Sequence, residues 1–124
     1  MASGSFERPL PDPADEKALL GLSGINTLSY DQDANSTRYI KFPTKPIDGL
    51  LILSAGAGSG LDSKRGLYVF GSTTTGNVTL TTVLASSLTI TGGSNYIAIT
   101  NGTSHVYWAV ISFMGGQPTV ESSL

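Results

Sequence analysis

From residue 25 onward the chain alternates apolar and polar residues with period two, and this pattern allows few folds. In NVTLTTVL, Val78 and Leu80 fall on one face and Thr79 and Thr81 on the other. In SLTIT, Leu88 and Ile90 alternate with Thr89 and Thr91, and in YIAIT, Ile97 and Ile99 point the same way. A strand places successive side chains on opposite faces, so this pattern describes sheets that bury one side. Eight strands are expected: 26–31, 37–42, 47–55, 66–70, 77–84, 87–91, 95–100 and 106–113. The turns between them are rich in glycine. Gly92-Gly93 separates two strands, and Asn101-Gly102 has the composition of a type I′ hairpin turn. The expected fold is all-β, a β-sandwich or jelly roll of about eight strands. A closed barrel is the alternative.

Two strands depart from simple alternation. Leu50 to Leu53 is apolar throughout, which predicts a central strand covered on both sides. In HVYWAVISF, His105, Tyr107, Ala109, Ile111 and Phe113 share one face and Val106, Trp108 and Val110 the other. Both faces are apolar. This strand is either central or covered on one face by a neighbouring subunit.

Before residue 25 the pattern differs. Pro9, Pro11 and Pro13 favour an extended arm. Asp12 then reads as an N-cap with Pro13 at the first helical position and Asp15 and Glu16 in the first turn. A helix of about two turns ends at Gly21, too short to stand without docking. The expected organisation is an arm with a short helix over 1–24, a β-sandwich over 25–115 and a tail over 116–124. Phe6, Arg8, Pro9, Leu10, Leu19 and Leu20 are the arm residues expected to bind a partner. MASGSFERPLPDP has no apolar core of a secretory signal, and no apolar run approaches the ~18 residues of a membrane span. Synthesis in a cytoplasm is expected, with no membrane partner.

The 124 residues carry a net charge of −2, with only 13% charged side chains, against about 25% in an average soluble domain. Ser, Thr and Gly together supply 45 of the 124 residues. Such a surface carries little self-repulsion and suits a protein packed against copies of itself. The basic residues are scattered, so nucleic acid is not an expected partner.

The glycine-rich stretch AGAGSGLDSKRG invites comparison with a phosphate cradle. Its glycines, Gly56, Gly58 and Gly60, follow the wrong spacing for a dinucleotide fingerprint, and Lys64 comes too late for a phosphate-binding loop. The residues after it read as a strand, where a cradle needs a helix N-terminus. The stretch is expected to be an exposed loop, with Gly58, Lys64 and Arg65 available to an acidic neighbour. The single histidine, His105, lacks a nucleophile elbow, and there is no cysteine. Asp31 to Thr37 alternates oxygen ligands like the start of a calcium loop, but has Ser36 and Phe42 where such a loop needs Gly and Glu. No enzyme activity, cofactor or metal is expected. Tyr107, Trp108 and Tyr96 are candidates for a glycan platform or a subunit interface.

The second half, Gly76 to Phe113, resembles β-sandwich modules of phage virion proteins, found in head decoration proteins and in tail and baseplate tips. The likeness lies in Thr-alternating strands, the Ile-Thr-Asn-Gly turn and a closing aromatic strand. No functional residue is carried over from it. The resemblance implies a homotrimer fixed to a shell or tail, residing in the virion beside proteins such as the major capsid protein. The expected function is a non-enzymatic capsid decoration or cement protein that attaches through its arm. The alternatives are a tail or baseplate module that recognises a host glycan and a free-standing lectin-like module.

Overall fold

A computed structural model describes residues 24–54 and 62–124. The arm residues Phe6, Arg8, Pro9, Leu10, Leu19 and Leu20, the short helix and Gly58 lie outside the described residues. The rest forms nine strands in two antiparallel sheets. They are β1 (Asn26–Gln32), β2 (Thr37–Lys41), β3 (Ile47–Ser54), β4 (Gly66–Ser72), β5 (Thr79–Leu84), β6 (Thr89–Gly92), β7 (Tyr96–Thr100), β8 (Val106–Met114) and β9 (Thr119–Glu121). A single 3-10 turn, Asp62–Lys64, precedes β4.

The five-stranded sheet runs β1-β8-β3-β4-β5 and the four-stranded sheet β6-β7-β2-β9. The all-β sandwich expected from the alternation is therefore present. All eight expected strands occur, and a ninth lies in the stretch read as a tail. β9 pairs with β2, with Val120 opposite Ile40, and Val120 packs on the core. Three residues are too few to show a period.

The core lies between the sheets. β3 supplies Ile47, Leu51 and Leu53, β4 Tyr68 and Phe70, and β8 Val106, Trp108 and Val110. The four-stranded sheet answers with Ile40, Ile97 and Ile99. Phe42 and Phe70 meet with ring centroids 5.4 Å apart. At Gly49 the β3–β8 register shifts, and an added Cβ would stand 2.2 Å from the Ile111 carbonyl oxygen and 2.6 Å from the Phe70 ring. Only glycine allows the two backbones to approach this closely.

The Asn101-Gly102 turn differs from expectation. A type I′ turn needs positive φ at both central residues. In this connection the left-handed residue is Ser104, at φ 66°, and β7 and β8 are joined by the five residues between Thr100 and Val106. Asn101 is drawn inside, 3% exposed, because its side chain bonds the surrounding backbone.

Candidate functional site

The two outer faces of the sandwich differ in chemistry. The outer face of the four-stranded sheet is mostly polar, with Thr, Lys41, Glu121 and Ala98 around Tyr39 and Tyr96, whose rings meet edge to face at 5.7 Å. That is the polar exterior that period two predicts. The outer face of the five-stranded sheet is apolar. Leu50 lies between Ile111 and Val69 in register, and Ile52 between Ala109 and Leu67. These two rows cross three strands, and Tyr107 extends them along β8. Ile52, Val69 and Tyr107 are 41%, 40% and 43% exposed. Asp31 and Asp48 stand at its margins, on β1 and at the start of β3.

The apolar run in β3 therefore has a different explanation from the expected one. β3 is central, and its inner residues are buried, but no described residue covers the outer row. β8 is likewise central, between β1 and β3. Its outer row is part of the same open face.

At one end of this face lies a shallow groove of about 430 Å³, whose lining includes Ser29, Asp31, Ile52, Ser54, Tyr107 and Trp108. Asp31 Oδ1 and His105 Nδ1 are hydrogen-bonded at 2.8 Å, and Asp33 lies 3.9 Å from the same nitrogen. All three side chains are more than half exposed. Among the described residues no three His, Cys, Asp or Glu side chains come together as a metal site.

Beneath the groove a buried polar network ties the sheets. Trp108 Nε1 donates to Gln32 Oε1 at 2.9 Å. Gln32 Nε2 donates to the carbonyls of Ile99 at 2.9 Å and Ser36 at 3.0 Å. Asn101 Nδ2 donates to the carbonyls of Asp33 at 3.0 Å and Ser104 at 2.8 Å. Lys64 Nζ donates to Asn101 Oδ1 at 2.8 Å, to the Ser104 carbonyl at 3.1 Å and to the Thr103 carbonyl. Each buried donor thus finds an acceptor, which a low-dielectric interior demands.

This geometry corrects two sequence expectations. Lys64 is 6% exposed, so it is not available to an acidic neighbour. Three acceptors hold its ammonium inside, and burial lowers its pKa from the usual 10.5. Arg65 is exposed. Trp108 is 3% exposed, its ring 5.4 Å from that of Tyr30, so it offers no face to a sugar. Tyr107, its neighbour in sequence, faces outward, and Tyr96 lies on the opposite sheet. The three aromatics do not form one platform. What sequence reasoning missed is the contiguity of Leu50, Ile52, Leu67 and Val69 with the outer row of β8. The doubly apolar strands signalled it, but register was needed to join them.

No family model, curated protein or solved structure matches the chain. Among the described residues no helix is long and apolar enough to cross a membrane.

Proposed function

We propose that this chain is a non-enzymatic structural protein that packs into a larger protein shell through the outer face of its five-stranded sheet. The observation that carries the reading is the double row Ile111–Leu50–Val69 and Ala109–Ile52–Leu67, apolar across three strands. Monomeric surfaces seldom expose apolar patches of this continuity, and such patches mark protein interfaces. The low charge of the chain supports packing among protein neighbours, and the resemblance of Gly76–Phe113 to phage decoration and tail-tip modules points to a virion shell. In this reading residues 1–24 form the arm that reaches adjacent subunits, and β1 begins where that arm ends.

The test is attachment to shells. Ile52→Lys with Val69→Lys places two charges on an already exposed face. The variant is expected to keep the wild-type fold, with unchanged emission from Trp108, the one tryptophan, and to lose attachment to shells and the thermal protection that attachment gives them. Attachment at wild-type strength would defeat the reading.

A second reading rests on the groove beside Tyr107. An exposed aromatic ring flanked by Asp31, Ser29 and Ser54 has the mixed chemistry that receives a sugar. Tyr107→Ala is then expected to abolish binding on a glycan array while leaving Trp108 emission unchanged.

A further inference from the structure

Four strands end the two sheets: β1 and β5 in one, β6 and β9 in the other. A free edge presents unpaired N–H and C=O groups, and proteins protect such edges with charge, shortness, glycine or proline. Three of the four are protected. β1 carries Asp31, held beside His105. β9 has three residues and ends in Glu121. β6 has four and ends in Gly92.

β5 is different. It is Thr-Leu-Thr-Thr-Val-Leu, six residues with no charge, proline or glycine. Only Leu80 packs on the core, and the other five residues are exposed. Its sequence neighbours supply no charge either, because no Asp, Glu, Lys or Arg lies between Arg65 and Glu121. Its one irregularity is a bulge. Leu67 faces Leu84 and Tyr68 faces Thr82, so Val83 is the extra residue, 62% exposed. The bulge lies at the end of the strand and leaves Thr79 to Thr82 regular.

We propose that β5 pairs antiparallel with β5 of a second copy of this chain, continuing the five-stranded sheet across a two-fold axis. An uncharged edge gains nothing from a charged partner strand. An identical strand sets Thr against Thr or Val, pairs that stabilise an antiparallel ladder. Two-fold pairing is also self-limiting. It consumes β5 in both copies, and the protected edges β1, β6 and β9 stop further growth. The assembly closes at two copies through this edge, where the sequence resemblance implied three. The pairing uses an edge and the shell contact uses a face, so each stands or falls separately.

The absence of cysteine makes the test clean. Thr79→Cys, Thr81→Cys, Thr82→Cys and Val83→Cys each introduce a single thiol at an exposed position. In two-fold antiparallel pairing, residues at the axis face their own copies with Cβ atoms about 4.5–5.5 Å apart, close to disulfide reach. Thr27→Cys on the exposed face of β1 measures random collision. Under mild oxidation of the full chain, dimer yield is expected to peak sharply at one β5 position, several-fold above the Thr27→Cys control. Yields equal to the control at every β5 position would overturn the proposal. So would a monomeric mass by light scattering combined with protection from hydrogen exchange of those β5 amides that point away from β4, since another part of the same chain would then cover the edge. Trp108 emission confirms the fold of each variant. Cross-linking that survives Ile52→Lys with Val69→Lys, while shell attachment is lost, separates the two contacts.

Discussion

Lys64 shows how far a residue's role can lie from its sequence context. In SKRG it reads as one of two adjacent surface cations, and no periodicity distinguishes it from Arg65. The difference is made by partners 37 to 40 residues away, the side chain of Asn101 and the carbonyls of Thr103 and Ser104. Lys64→Met fills the same space but removes the donor from the buried Asn101 Oδ1 and from the Thr103 carbonyl, while the Ser104 carbonyl keeps its bond from Asn101 Nδ2. Leaving buried polar groups unpaired costs about 1–3 kcal/mol, and urea denaturation should show a loss of that size. The variant should also change the alkaline response. Burial lowers the folded-state pKa below the unfolded value of 10.5, so between those values the unfolded chain binds more protons. Stability from this group therefore rises with pH through that window. The difference between wild type and Lys64→Met should widen in favour of wild type as pH climbs towards 10.5. A constant difference would show that the ammonium is not the titrating group.

At the scale of elements, alternation made eight strands legible because one buried face repeats every second residue. It did not reveal β9, which is too short, or the β7–β8 connection, whose shape follows from Asn101 turning inward to bond the Asp33 and Ser104 carbonyls. Nor did it reveal where strands approach most closely, since a glycine in a strand looks the same whether or not another backbone lies against it. Gly49 is such a position. A methyl group there meets the Ile111 backbone and the Phe70 ring together, and backbone cannot move aside as a flexible side chain does. Gly49→Ala is expected to cost about 3 kcal/mol, seen as a lowered urea midpoint. By contrast Gly102→Ala, at a site with nothing within 4 Å, should lie within about 0.5 kcal/mol of wild type.

For the whole molecule, the two sheets are held by different means at different depths. Most of the interface is apolar, but at the end nearest the groove it is a polar lock. Gln32 enters from β1, receives Trp108 of β8, and gives both amide protons to backbone of the other sheet's strands and their approach, Ile99 and Ser36. An apolar contact tolerates small slips, whereas a fully satisfied network fixes one arrangement of the sheets. The open groove lies above this lock, with Trp108 in both, so the proposed interface sits on a part of the sandwich whose arrangement the network fixes. Gln32→Leu keeps the volume and removes all three side-chain bonds at once, leaving the Trp108 indole N–H without its acceptor and the Ile99 carbonyl without this donor, while the Ser36 carbonyl keeps its bond from the Asn101 N–H. The expected loss is about 1–3 kcal/mol, chiefly the cost of leaving the buried indole N–H unpaired. The same variant should speed hydrogen exchange in β1, β2, β7 and β8 together, because the lock joins both sheets. Faster exchange confined to β1 would mean that Gln32 secures only its own strand and that the sheets are held together by the apolar core alone.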